Sequence, residues 1–551
     1  MRPFSFACLV GIGLSLAAAP APAVTVPAGF AVESLPFTFD LPTAIAFLPD
    51  GRLLVAEKGG IVYVVTGATR HPLWVGEEEV LNTDDRGLLA IAVDPDFETN
   101  RFLYFLYTVD PDSNGIELDN YDDAFARLTR YQASASDPNV VDLATRTVLI
   151  GRTWREGFAS GSGTHSICAL EWGSDGSLLV SAGDGAHHDQ VDAGGLDPGL
   201  FAPERTDPLE DIGAFRAQDL RSLDGKLLRI DPATGLGYPG NPFFDGDPAS
   251  NRSRVWAYGM RNPFRVARKP GTGATDPADD DPGTLYVGDV GWITWEEIHV
   301  VRTPGPNFGW PCFEGREGHP DYHAATPAHH DCGSIGTPVN PSAHELPVVA
   351  LHRWTDSLSV PAGAHGGVIA GGVFYSGMSY PLEYRDRYFF GDFTRDWIKV
   401  LVTDEEDRLV SLIPFAAGAG RPVAFGTDPL SGDLFYVAIG AGEVRRIRYL
   451  GVTSVEPTAG LLALSPAHPN PSAGAIELTI DLARAEGVSF AVYDQAGRQI
   501  WRAPDHNAAA GRVVLAWTGV TRSGERAASG VYFARVRVDG EERSRRFILL
   551  R

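Results

Sequence analysis

The sequence predicts an all-β protein, a six-bladed β-propeller followed by a small β-sandwich. Three observations carry that expectation. A unit of strand, tight turn and strand recurs six times between about residues 44 and 449. The composition, with 62 Gly and 40 Pro in 551 residues, is too rich in turn formers for a helical protein. After Tyr449 the chain passes through a linker containing Pro and Ala into short strands of strict alternation. Radial repetition protects sheet edges, so a propeller is the natural container for six such units. A pair of stacked sandwiches explains the repetition less well.

Taken in order, residues 1–23 read as a signal peptide. Arg2 is its positive end, an apolar run follows from Phe4 to Ala19, and Ala21-Pro22-Ala23 is a small-residue cleavage site. The run is too short and too rich in alanine for a spanning helix, and no later stretch approaches a membrane span. The expected location is therefore secreted, periplasmic or at the cell surface. The repeats follow as AIAFLPDGRLLVAEKGGIVYVV (44–65), LLAIAVDPDFETNRFLYFLYT (88–108) and ALEWGSDGSLLVSAGDG (169–185). The remaining three are DPGTLYVGDVGWITWEEIHVV (281–301), GGVFYSGMSYPLEYRDRYFFGDFTRDWIKVL (371–401) and VAFGTDPLSGDLFYVAIGAGEVRRIRY (423–449). In each, alternating apolar residues flank an Asp-Gly or related turn. The propeller is expected over 24–450, the linker over 451–469 and the sandwich over 470–551.

Long polar insertions at 186–222 and 302–365 separate the units, and long loops in compact domains are usually functional or disordered. DPADDDPG (276–283) lacks the spacing of an EF-hand loop and reads as a solvated turn. The net charge of −24 argues against a nucleic-acid backbone or an anionic membrane surface as partner. It permits calcium, which prefers oxygen ligands. Cys8 leaves with the signal. Cys312 and Cys332 bracket a loop of turn residues and histidines and are paired as a disulfide, a closure of roughly 3 kcal/mol in the entropic account. Cys168 lies in an apolar run and reads as a buried small residue.

The chemistry concentrates in a few places. In WAYGMRNPFR (256–265), Arg261 offers a planar fork of donors and Asn262 both a donor and an acceptor, with Pro263 biasing Asn262 toward extended backbone. Such a pair suits a planar, oxygen-rich ligand, although a structural turn has the same composition. His165 stands just before an apolar strand, where a side chain that takes a proton near neutral pH would face the propeller axis; a histidine held by a loop carbonyl is the alternative. GDVGWITWEEI (288–298) offers Asp289, Glu296 and Glu297 beside irregular turns, a set of oxygens suited to a hard cation or an ordinary strand end. Asp85 and Arg86 read as a surface pair. The histidines at 187, 188, 319, 323, 329 and 330 lack metal-ligand spacing and read as loop residues. No serine-hydrolase elbow, P-loop or dinucleotide fingerprint is present.

Several stretches together resemble the glucose/sorbosone dehydrogenase family. They are DDRGLLAIAVDPDF (84–97), HSICALEWGSDGSLLVSAGD (165–184), DLRSLDGKLLRID (219–231), WAYGMRNPFR (256–265) and GDVGWITWEEIHVVRTPGPNFGWPCFEG (288–315). The family includes soluble quinoprotein aldose sugar dehydrogenases and propellers of the Hedgehog-interacting type, and the likeness covers about residues 28–448. It implies a six-bladed propeller that binds pyrroloquinoline quinone (PQQ) and calcium on its axis, oxidises the anomeric carbon of a sugar and passes electrons to a soluble acceptor. His165 would be the general base and Arg261 would stabilise negative charge on the quinone oxygen. Asn262 and Asp85 would contact the cofactor. The carbonyls of Gly291 and Trp292 would hold the calcium, with Glu297 a calcium-associated acid.

Departures from the family pattern are also legible. Thr164 stands where relatives carry an acid and Phe264 replaces a glutamine. GDFTRDW lacks a lysine, and Arg421 is the one cation near the last repeat. PQQ carries three carboxylates, so lost cations would weaken its hold. The rival expectation is a binding propeller without PQQ, unless cations such as Arg205, Arg221, Arg353 or Arg395 converge on the axis. A calcium-dependent lactonase-type hydrolase would instead require several side-chain carboxylates there. The tail, through SPAHPNPSAG, VYDQAGRQI, SGERAASGVYFARV and RSRRFILLR, resembles the Ig-like domain of hook-capping proteins and type IX secretion sorting tails. It implies contact with secretion or cell-surface machinery.

Overall fold

The computed structural model describes residues 24–111, 124–160, 162–196, 207–327, 330–352, 366–451 and, with short interruptions, 464–550. The expected signal peptide lies outside the described residues. The chain divides into two units, 1–451 and 452–551.

The first unit is a ring of six antiparallel sheets. Blade 1 runs Pro42–Phe47, Leu53–Glu57, Ile61–Thr66, Thr69–Val75. Blade 2 begins Leu88–Val93, Phe102–Val109, Phe125–Ala133, and Val141–Ile150 and Phe158–Ala159 both pair with its third strand. Blade 3 is Ile167–Trp172, Leu178–Ala182, Lys226–Ile230, Val255–Tyr258. Blade 4 is Pro263–Arg268, Leu285–Asp289, Trp295–Val301, Val349–His352. Blade 5 is Ile369–Phe374, Tyr388–Asp392, Trp397–Thr403, Leu409–Ala417. Blade 6 takes Pro422–Thr427, Leu434–Ala438 and Glu443–Tyr449 from the end of the unit and Phe30–Ser34 from its start. The first strand of every blade is innermost, and these six touch in sequence around a closed ring.

Alternation explains the ring. In blade 1, Leu54 and Ala56 enter a core shared with blade 2, while Leu53 and Val55 enter one shared with blade 6. The same division recurs at every boundary, so the apolar core is six inter-blade layers. Turn chemistry repeats as well. An aspartate side chain accepts the backbone N–H two residues on at the first hairpin of blades 1, 2, 3 and 6, through Asp50, Asp94, Asp175 and Asp428. Each inner strand carries a register shift near its start, skipping Thr43, Leu89, Cys168, Phe264, Ala370 and Val423 in turn.

Two local expectations are refined. The repeat at 281–301 spans the second and third strands of blade 4, and its inner strand is Pro263–Arg268, where two arginines interrupt the apolar alternation. In the acidic 276–283 stretch, Asp280 pairs at 3.1 Å with fully buried Arg229, which Asp175 also holds at 2.7 Å. No helix among the described residues is long and apolar enough to cross a membrane. In the second unit, Ile476–Leu482 pairs with Gly511–Trp517, and a second sheet holds Glu486–Asp494, Gln499–Arg502, His506–Ala508, Gly530–Val538 and Glu541–Leu549. Their inward residues share one core around Trp517 and Phe547.

Ring closure rests on the N-terminal strand. Phe30 lies 4.9–5.3 Å from Tyr380, Tyr384, Phe415 and Tyr449. Phe30→Ala is expected to cost roughly 2 kcal/mol, below the fully buried range because Phe30 is only half-buried. A chemical-denaturation midpoint unchanged by the substitution would show that the strand contributes little to closure.

Candidate active site

A buried acid ends or closely follows the second strand in five blades: Glu57, Asp110, Asp184, Asp289 and Asp392. In three of them its role is plain. Glu57 accepts the N–H of Asp40 at 2.8 Å, Asp289 those of Arg261 and Asn262 at 3.1 and 2.6 Å, and Asp392 those of Gly367 and Val368 at 2.7 and 3.2 Å. Each clamps the one or two residues leading into its own blade's inner strand. These lead-ins, and the loops after the second strands, therefore lie at one end of the ring.

Blade 3 departs from that pattern, and the departure builds the site. His165 occupies the lead-in position, two residues before Ile167, in left-handed backbone with φ of 51°. Asp184 meets its ring instead of its backbone, with Nδ1 2.8 Å from Oδ1. The backbone N–H of His165 turns to Asp85, whose Oδ2 lies 3.3 Å away. The close approach of Gly183 allows this, since a Cβ there would lie 2.3 Å from the His165 carbonyl oxygen. Asp184 also accepts from Trp310 Nε1 at 2.7 Å and from Ala186 N–H at 3.0 Å. Burial alone would raise its pKa, but His165, Arg261 and the Ala186 N–H outweigh burial and hold it below 3.8. A carboxylate on Nδ1 fixes the proton there and leaves Nε2 with its lone pair outward. Nε2 makes no hydrogen bond to a described residue.

Arg261 and Asn262 lie in the crossover between blades 3 and 4. Arg261 is buried, 5.5 Å from the Trp310 ring centroid, and its Nη1 donates to the carbonyls of Val290 and Gly291 at 3.1 and 2.8 Å. Its Nε is buried without a partner. Such a donor is costly to leave unpaired. Cys168, the skipped residue of blade 3, donates its thiol to Asn262 Oδ1 at 3.1 Å. Burial pushes that thiol's pKa well up, so it stays a donor. The amide is thereby oriented with Nδ2 away from the thiol. The apolar run around Cys168 gave no sign of this role, because it depends on a bulge register and a neighbouring blade.

The proposed cation ligands gather around blade 4. Gly291's carbonyl carries Arg261, and a carbonyl oxygen keeps a second lone pair. The N–H groups of residues 292–295 all point to Glu314 Oε1 at 2.6–3.2 Å, which fixes the loop that presents Gly291 and Trp292. Glu314 Oε2 is buried without a partner. Glu297 is pushed well above the ordinary carboxylate range by burial, then by Asp289 and Glu314. Asp289, Glu297 and His299 bring ligand atoms within 4.8 Å of one another, the one such group among the described residues. The loop histidines at 187, 188, 319, 323 and 330 fall outside it, and His329 lies outside the described residues.

Cys312 and Cys332 form the expected disulfide. Their loop packs Tyr322 and His319 against Trp310 and Trp292. Of the cations expected at the axis, Arg205 and Arg353 lie outside the described residues, and Arg221 is tied to Asp219 at 2.5 Å. Arg395, after Asp392, donates to the Gly366 carbonyl at 3.2 Å, and Arg421, just before Pro422, lies 5.3 Å from the Phe393 ring centroid. Lys58, after Glu57, donates to Asn82 at 2.5 Å. Lys58, Arg261, Arg395 and Arg421 thus stand at the His165 end, from blades 1, 4, 5 and 6.

The family model for glucose/sorbosone dehydrogenase matches residues 39–440. The aldose sugar dehydrogenase of Escherichia coli K12 is 26% identical over 289 residues, 52% of this chain and 62% of that protein. The quinoprotein glucose dehydrogenase B of Acinetobacter calcoaceticus is 26% identical over 333 residues, 58% of this chain and 61% of that protein. The chain thus spans about six tenths of the length of each. The crystal structure of the soluble aldose sugar dehydrogenase from Escherichia coli, in its apo form, superposes with a TM-score of 0.51 at 20% identity, covering 76% of this chain and 99% of that one. That likeness shows the propeller fold.

His344 reports on how this region packs. It stacks 4.1 Å from Phe313 at the base of the disulfide loop, and burial, then His299, lowers its pKa from 6.5 to about 4. On acidification the unfolded chain takes up the proton first. The stability tied to neutral His344 is therefore full above pH 6.5 and lost as pH falls through about 4. His344→Phe is expected to flatten the fall of melting temperature over that window. An unchanged slope would remove His344 as its source.

Proposed function

The chain belongs to the glucose/sorbosone dehydrogenase family, and on that premise we propose that it is a PQQ-dependent oxidoreductase of an aldose or related sugar, with His165 as general base. One observation carries the reading: Asp184 holds His165 as an outward-facing base beside a buried arginine donor that lacks an acceptor. PQQ, when bound, supplies the acceptor for the hydride leaving the sugar's C1. His165 Nε2 takes the C1 hydroxyl proton, and Asp184 stabilises the imidazolium that results. Arg261 Nε supplies a hydrogen bond where negative charge develops on the cofactor oxygen, in a setting that needs no reorganisation. Asn262 Nδ2, set by Cys168, offers a second donor. Asp85 acts on His165 through its backbone N–H.

The donor set fits the cofactor. Lys58, Arg395 and Arg421 would supply cationic partners for its three carboxylates, in place of the lysine and paired arginines of the family pattern that this chain lacks. This weakens the case for a binding propeller that has lost PQQ, which rested on a rim without cations. Calcium would be held by the carbonyls of Gly291 and Trp292, and a cation nearby would offset the cost of charge on buried Glu297. A lactonase reading has less support, since Asp289, Glu297 and His299 stand on the second and third strands of blade 4, off the axis. Export through the N-terminal signal, a soluble electron acceptor, and sorting or anchoring by the C-terminal unit complete the proposal.

Reconstitution tests it. Chelator-stripped protein is expected to bind PQQ saturably in the presence of calcium and to reduce dye with aldoses. His165→Ala should lose about 10²–10⁴-fold in turnover while retaining PQQ. Absence of PQQ binding at micromolar concentration would return the binding-propeller reading. Calcium is expected to raise the melting temperature of stripped protein, and Glu297→Gln to shrink that rise. A rise of equal size in the variant would detach Glu297 from the ion.

A further inference from the structure

We propose that the axial channel of the propeller is a binding site for a small monovalent anion, a halide or a carboxylate, held by Arg265. This residue is buried, three places into the inner strand of blade 4. Its guanidinium reaches across the ring. Nη1 donates to the carbonyls of Cys168 and Phe264, both at 2.8 Å, and Nη2 to that of Thr43 at 2.6 Å. Thr43 and Cys168 are the skipped residues of blades 1 and 3, and blade 1 is diametrically opposite blade 4. The guanidinium also lies 4.2 Å from the Phe264 ring centroid.

These contacts satisfy three of its five N–H groups and leave Nε–H and one Nη2–H. Carbonyls solvate a cation without neutralising it, and Arg265 makes no ion pair with a described residue. Arg229 shows the usual solution, since it is wholly buried and carries Asp175 at 2.7 Å and Asp280 at 3.1 Å. Burial lowers the pKa of Arg265 to about 10, so the group remains charged at neutral pH. A buried, uncompensated charge is costly, and an anion from solvent removes the cost.

There is room for one. Arg265 lines a cavity of about 260 Å³ running along the inner strands, with Ala44, Ala90, Ala169, Val266 and Ala424 among its walls. These small side chains offer no competing donor, so the guanidinium is the recognition element. Nε–H and the remaining Nη2–H are donors that a carboxylate or a single halide can take up. One positive charge matches one negative charge, which disfavours phosphate or sulfate. Glu171 lines the same cavity, but three strand residues beyond Cys168, about 10 Å along the strand.

Chloride-35 NMR of the full chain tests the site. The wild type is expected to broaden the chloride line, and Arg265→Gln to return it toward the bulk width. Displacement of chloride by formate at comparable concentration would identify a carboxylate as the occupant; displacement only at large excess would identify a halide. Crystals of the wild type soaked in bromide give a second readout that needs no variant, and an anomalous peak beside Arg265 is the expected result. Equal broadening by wild type and Arg265→Gln, or a channel holding only water after the soak, would overturn the proposal.

Discussion

A sheet that is apolar on both faces must find a partner on each side. Every blade of this propeller is such a sheet, and the ring is the arrangement that leaves none with an uncovered face. The rest of the structure depends on that closure. Residues 30–34, far from residue 449 in sequence, must return to complete blade 6. The six inner strands must approach closely enough for one arginine to reach carbonyls on three of them. The loops that carry the polar chemistry are brought to one end because each blade's lead-in and second turn lie there.

Within that ring the site is a variation on a repeated device. A buried acid clamps the backbone of the lead-in in blades 1, 4 and 5, which is a purely structural arrangement. In blade 3 the same acid grips an imidazole ring instead, and Asp85 of the neighbouring blade takes over the backbone N–H. A structural clamp becomes the support of an imidazole through one side chain and one left-handed residue. Blade 4 adds the complementary change. Its acid still clamps the backbone, which frees the Arg261 guanidinium to turn toward the carbonyls of Val290 and Gly291. The thiol of Cys168 then decides which way Asn262 faces.

The fold was largely legible because period-two alternation and Asp-bearing turns are local properties, repeated six times. The unit at 281–301 was read without its inner strand because Arg265 and Arg268 break the alternation, and Arg265 is buried only through carbonyls of other blades. His165, Arg261 and Asn262 were legible as residue types in context. Asp184 stood within a quoted motif, but its partnership with His165 is a contact across nineteen residues that periodicity does not encode. The convergence of the rim cations is not legible in the sequence, because it joins turns of blades 1, 5 and 6. Lys58, Arg395 and Arg421 reach the same end from other turns.

The sequence by itself determined the strand pattern, the change of unit near residue 450, the pairing of Cys312 with Cys332 and the residue types available for proton transfer and oxygen recognition. These follow from local backbone preference, alternation and side-chain chemistry. Only the tertiary structure decided which atoms of those residues are committed and which are left open. Nδ1 of His165 is taken and Nε2 is not; Nη1 of Arg261 is taken and Nε is not. Such assignments depend on contacts between blades, and they exist only once the ring has closed.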